Sequence, residues 1–414
     1  MDFPPAAAYR NAMIARRSPP HIATLVLMTG LGAMAMNIFL PSLPRMAESF
    51  EAPYALIQLT VAGFLATNAV MQVFIGPLSD KFGRRPIILA GIAVFCVATV
   101  GCILSTNVYA FIAFRMIQAS IAVTFALARA VVRDMYDQDR AASMIGYVTM
   151  GMALVPMVTP ALGGVIDETM GWRASFWVLL ILGIAIFALV WADLGETKTP
   201  SGRTILGQFA EYPELLTSPR FWGYCLASAF SSGAFFAFLG GAPYVGTNVF
   251  GLSPSSFGLW AAIPGVGYFL GNMLTGMVAV RLGVNRMIVT GALVTAMGLT
   301  VALALSYAGL GGPVVFFGGM FFVGLGNGMI MPSASSGMLS VRPHLAGTAS
   351  GLGGTMMIGG GAVLSVLAGI LLGPGTDEKP LIWLMMLTAL AGLAAIGLVI
   401  WRERQLGLGT PPAV

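Results

Sequence analysis

From residue 21 to residue 401 the chain alternates long apolar runs with short polar breaks, and no run carries an acid in its middle third. Runs long enough to cross a bilayer, at about 20 residues each, fall near 21–43, 54–78, 86–105, 108–132, 141–164, 173–192, 220–245, 255–279, 286–307, 312–339, 345–372 and 381–401. Twelve such runs leave no room for a soluble core. With 57% hydrophobic residues, 9% charged and a mean hydropathy of +0.87, the 414 residues read as an all-α membrane protein with twelve transmembrane helices. The net charge of +5 then says little about nucleic acid, and no such partner is expected. Cys96, Cys102 and Cys225 lie in apolar runs without metal-ligand spacing, so they read as small packing residues, with no disulfide, metal or cofactor.

The distribution of charge orients the chain. An N-terminus placed in the cytoplasm assigns sixteen of the 21 Lys and Arg to the cytoplasmic side and three, Arg45, Arg173 and Lys379, to the outside. Such asymmetry satisfies the positive-inside rule. Arg115 and Arg129 remain within the fourth span. The polar segment 1–20 carries Arg10, Arg16 and Arg17 but is followed by no persuasive cleavage site, so it reads as a retained cytoplasmic tail. The longest polar interval, 193–219, divides the spans six and six: an N-terminal bundle over 21–192, a cytoplasmic linker with a short surface helix around 205–216, a C-terminal bundle over 220–402, and a tail over 403–414. The halves echo one another. At an offset of 200 residues, Gly76, Lys81, Gly83 and Gly91 fall on Gly276, Arg281, Gly283 and Gly291.

Between the second and third runs stands Gly76-Pro77-Leu78-Ser79-Asp80-Lys81-Phe82-Gly83-Arg84-Arg85-Pro86. So dense a charge cluster, punctuated by Gly and Pro, must turn at a membrane surface. Beyond a plain basic loop, the order of Gly76, Leu78, Asp80, Lys81, Gly83, Arg84 and Arg85 resembles the signature between helices two and three of the major facilitator superfamily. That resemblance implies two pseudo-symmetric six-helix bundles and a cytoplasmic gate in which Asp80 meets Arg133 or Asp134 and the start of the eleventh span, near 346–351. Two further stretches extend it. Pro156 to Gly164 looks like the Gly- and Pro-rich signature of the superfamily's antiporters, through Pro156, Pro160, Gly163 and Gly164, although Thr159 stands where that pattern usually has Gly; an ordinary kinked helix is the competing reading. Arg115-Met116-Ile117-Gln118 resembles an Arg-x-x-Gln motif of many members.

A guanidinium two turns inside its helix costs several kcal/mol unless it faces water, carbonyls or an anion, so Arg115 reads as functional, with snorkelling to the outer surface as the alternative. Arg129, one turn from Arg133, either serves the site or reaches the cytoplasmic interface. The chain resembles the bicyclomycin and chloramphenicol resistance (Bcr/CflA) subgroup, whose members typically carry an Asp in the first span just before an aromatic or aliphatic pair and Leu-Pro. Here Asn37 stands in that neighbourhood, and Asn cannot titrate. The resemblance implies a cavity in which Asn37, Arg115 and Gln118 face Phe235, Tyr244 and Asn327. The expected activity is export of small amphipathic compounds, neutral or anionic, by a monomer in the bacterial inner membrane with both termini cytoplasmic, driven by protons. A passive facilitator of the same fold is the closest rival; an enzyme lacks its constellation, since His21 and His344 both sit at membrane edges.

Overall fold

A computed structural model of the chain describes residues 20–135, 138–197, 212–342 and 346–407. Among these, the first span is α1 (Ile22–Asn37), whose start is capped by the His21 side chain accepting from the Ala23 amide at 3.2 Å. It stops earlier than the apolar run because Pro41 and Pro44 lack amide donors; a 3₁₀ turn (Leu40–Ser42) and the short α2 (Leu43–Ser49) carry the chain onward. Then come α3 (Tyr54–Phe82) and α4 (Arg84–Leu104). The fourth span is broken into α5 (Val108–Gln118) and α6 (Ala122–Met135) by a 3₁₀ turn immediately after Gln118. Helices α7 (Gln138–Met170) and α8 (Arg173–Asp193) complete the first half.

The linker contributes α9 (Tyr212–Leu216); the rest of its expected helix lies outside the described residues. The second half holds α10 (Pro219–Tyr244), α11 (Pro254–Trp260), α12 (Ile263–Leu282), α13 (Val284–Tyr307), α14 (Pro313–Val341), α15 (Ala346–Leu371) and α16 (Lys379–Gln405). The eighth span, expected as one helix, is two, because Pro264 in the first turn of α12 cannot donate to an incoming helix. Eleven stretches of the described chain are long and apolar enough to cross a membrane, and α7, at 33 residues, occupies the fifth place.

The packing separates into two groups. In the first, α1 lies against α7 and α4 against α8; in the second, α14 is wedged between α12 and α13, and α10 between α15 and α16. The α12–α14 contact is backbone on backbone, with Gly324 facing the Pro264 carbonyl and Gly271 that of Leu325. Such close approach is how helices gain dispersion energy where lipid supplies no hydrophobic drive.

The two halves repeat a turn. Gly83, between α3 and α4, has φ +98°, and Gly283, between α12 and α13, has φ +80°, both with ψ near 157°. Only glycine adopts that region readily, and other residues there cost about 1–3 kcal/mol. The sites differ in their surroundings, since a methyl at Gly83 would strike the Glu196 carboxylate whereas one at Gly283 meets nothing within 4 Å. Both Gly83→Ala and Gly283→Ala should therefore lower the unfolding temperature of the purified protein, with the larger drop at Gly83; equal drops would mean that Glu196 yields freely.

Candidate functional site

The bundles meet along two seams. In one, α7 packs against α11 and α12, and the antiporter-like stretch lies within it. Both Pro156 and Pro160 stay inside α7, and the Thr159 hydroxyl donates to the Val155 carbonyl. A Cβ at Gly164 would land on the Pro254 carbonyl of α11, and one at Gly258 on the Pro160 carbonyl, so the two backbones touch. Gly163 faces inward instead, onto the Ile38 carbonyl that follows α1. Near the C-terminal end of α7 the Glu168 carboxylate accepts from the Ser255 amide at 2.9 Å. Beside it Asp167 has a fully buried side chain ion-paired to Arg45 at 3.4 Å, and Arg45 also donates to the Asp167 carbonyl at 3.0 Å.

The second seam joins α3 to α15. The Gln58 amide donates to the Ser365 carbonyl at 2.7 Å, the Tyr54 hydroxyl donates to the Gly240 carbonyl at 3.1 Å, and the Tyr54 and Tyr244 rings meet with centroids 5.1 Å apart. Above this pair a vestibule of about 430 Å³, lined by Glu48, Glu51 and Asn248 among others, opens outward. The Gln58, Tyr54 and Glu168 bonds between the bundles all lie at the ends away from the α3–α4 turn.

Arg115 sits elsewhere. Its side chain is completely buried within the first bundle, donating to the Gln118 amide oxygen and, at 3.3 Å, to the Ala35 carbonyl, while Gln118 donates to Thr99 at 2.7 Å. Aromatic rings enclose the guanidinium, with Phe39 at 4.2 Å and Phe64 at 4.5 Å from its carbon. Face-on rings and carbonyls substitute for a counter-ion, and desolvation makes each cation–π contact worth about 2 kcal/mol.

At the turn between α3 and α4, the Arg84 side chain pairs with Asp134 at 3.1 Å and donates to the Ser79 hydroxyl. Glu196 accepts from the Arg84 amide at 2.8 Å and the Arg85 amide at 3.3 Å, so this linker carboxylate closes the N-terminus of α4, where the helix dipole favours an anion. Arg85 is anchored on α8, donating to the Trp191 carbonyl at 2.8 Å and lying over its ring, and Lys81 lies over Phe82.

The family model described as Major Facilitator Superfamily matches residues 25–253, more than half of the chain. The chain belongs to this superfamily. It is 30% identical over 385 residues to an uncharacterized MFS-type transporter, YdgK, of Bacillus subtilis, covering 91% of this chain and 94% of that protein. It is 31% identical to a chloramphenicol resistance protein of Pseudomonas aeruginosa, covering 85% and 82%. The fold is shared with a bacterial homologue of the human lysosomal transporter Spinster, solved inward-facing and occupied, at a TM-score of 0.72 and 17% identity over the whole of both chains.

Within this superfamily member, the expected cavity residues are not brought together. Asn37, Arg115 and Gln118 were expected to face the second bundle, but their described partners all lie in the first; Asn37 donates to the Ala33 carbonyl at 2.7 Å and leaves its side-chain oxygen without a partner. The physical reason is the aromatic cage, which satisfies Arg115 without water. It also removes the snorkelling alternative. Asn327 accepts from Ser231 at 3.0 Å and Phe235 packs near Phe236 and Phe238, all within the second bundle; of the six, Tyr244 alone has its described partner across the seam. In the gate, Arg84 rather than Asp80 is the described partner of Asp134, and the side chains of Asp80, Arg133 and most of 346–350 lie outside the described residues. Sequence reasoning missed Arg45, Asp167, Glu168 and Glu196. Each is a charge at a span end, indistinguishable in sequence from a solvated loop charge.

Removing Arg115 should therefore loosen the first bundle. Arg115→Ala leaves a cavity and strips Gln118 and the Ala35 carbonyl of their donor, a loss of about 2–5 kcal/mol by analogy with large-to-small core changes. Arg115→Lys should recover little, because an ammonium cannot span both acceptors. Thermal unfolding in detergent checks this; an unchanged midpoint for Arg115→Ala would show that the cage holds without its guest.

Proposed function

We propose that this transporter exports small amphipathic compounds across the bacterial inner membrane by alternating access, coupled to protons. The observation that carries the reading is the outer seam: two bundles meet through the backbones of Gly164 and Gly258 and a few hydrogen bonds, a junction that can part and re-form as a rigid-body motion requires. The resistance proteins among its relatives support an exported drug or metabolite, and the Gln58, Tyr54 and Glu168 bonds would be those broken when the carrier opens outward. The Arg84–Asp134 pair, with Asp80, Lys81 and Arg133 nearby in sequence, would serve the cytoplasmic gate. The reading takes the chain as a monomer with both termini in the cytoplasm.

A passive facilitator is favoured by one feature, Asn37, which withholds an acid from the first span. Two groups could restore coupling. Asp167 is an acid withdrawn from water at the outer seam, where opening would change its surroundings. Asn37 itself is nearly isosteric with Asp, and its unpartnered oxygen can accept the change. In proteoliposomes with an imposed pH gradient, the natural protein should move chloramphenicol against its gradient, Asp167→Asn should weaken that dependence, and Asn37→Asp should strengthen it with little change in unfolding temperature. Chloramphenicol that only equilibrates, with or without the pH gradient, would favour the facilitator. Identical gradient responses from all three proteins would sink the coupling role of both positions.

A further inference from the structure

Helix α6 is an inner helix. It packs against α1, α3, α4 and α7 of its own bundle, and from Ala122 to Val132 every side chain is buried or half-buried except one. The exception is Arg129. Phe125 and Thr124 face Gly32 of α1 and Val123 faces Gly91 of α4, which leaves Arg129 on a side of α6 that these contacts do not cover. There Arg129 comes within electrostatic range of Tyr268 on α12, half-buried and three residues on from Gly265, which packs against Met157 of α7. Arg129 makes no hydrogen bond or ion pair among the described residues.

The contrast with Arg115 decides the meaning. Arg115 shows how this protein satisfies a guanidinium meant to stay put, with two hydrogen-bonded acceptors and a ring of aromatics. Arg129 has neither. A cation inside a membrane protein that has neither acceptors nor rings around it attracts an anion, because low-dielectric walls focus its field. The group across from it is a phenol, which donates to an anion and offers no negative charge, while the nearby Asn272 amide is turned to the Tyr268 carbonyl at 2.8 Å.

We infer that Arg129 and Tyr268 form an anion-recognising pair across the interbundle cleft, and that this transporter takes amphipathic substrates bearing a carboxylate. The planar fork of Arg129 accepts the carboxylate from the first bundle and the Tyr268 hydroxyl donates from the second, so the bound anion bridges the two bodies whose relative motion carries it. The inference rests on the transport reading above and names its substrate class.

A matched pair of probes tests it: chloramphenicol, which is neutral, and chloramphenicol hemisuccinate, the same scaffold with a carboxylate. Uptake of each into proteoliposomes would be measured for the natural protein, Arg129→Gln, Arg129→Lys and Tyr268→Phe. The expected result is that the natural protein prefers the hemisuccinate, that Arg129→Gln weakens its half-saturation by about tenfold or more, the loss of one charge-assisted contact, while chloramphenicol is little affected, and that Arg129→Lys restores part of the difference. Tyr268→Phe, which removes only a hydroxyl, should weaken the hemisuccinate alone and carries the comparison if Arg129→Gln does not fold. Equal handling of both probes by the natural protein and the variants overturns the anion site while leaving transport intact. A natural protein that moves neither probe overturns the transport reading itself.

Discussion

In hydrocarbon a backbone donor or acceptor without a partner costs several kcal/mol, and that single penalty shapes nearly every feature of this chain. It forces each apolar run into a helix, and where a run must break, at Pro41, at Ala119–Ile121 and ahead of Pro264, the break is a tight turn covered by neighbouring helices. Because helices satisfy themselves internally, they bind one another chiefly by closeness. Glycine supplies that closeness within the second bundle, at Gly324 and Gly271, and again between the bundles at Gly164 and Gly258. The same device thus packs helices within a bundle and joins the two bundles to each other.

Charge is placed by the complementary rule. Arg115 stays inside because three phenylalanine rings, a carbonyl and a glutamine amide do the work of water. Glu196 is drawn to the start of α4 because two free amides await an acceptor there. Arg84 reaches Asp134 at 3.1 Å, across from the third span to the fourth. The last two pairings each tie a span end to a residue that lies far away in sequence.

Most of the helical architecture was legible in the sequence, since length and hydropathy determine where a helix must cross. The Gly83 and Gly283 repeat was legible too, because a backbone conformation reserved for glycine leaves its mark as glycine. The candidate site was much less so. Arg115 and Arg129 stand on one span, both as isolated cations, and nothing in the sequence distinguishes the caged guanidinium from the open one; the difference lies in Phe39, Phe64 and Phe176, contributed by three other segments. The boundary charges Asp167 and Glu168 are adjacent in sequence, yet one is buried against Arg45 and the other reaches across to Ser255. Long-range partners of that kind have no local signature.

The backbone contact of α7 with α11 also has a kinetic meaning. Interlocked side chains must change rotamer, one after another, before two surfaces can slide apart, and each change adds roughness to the path. Where Gly164 and Gly258 rest against bare carbonyls there is no side chain to unlatch, and the Glu168–Ser255 hydrogen bond is the directional contact beside it. A seam of this kind behaves less like a cut core than like a bearing surface: firm under load, yet ready to let go once its few pins are drawn.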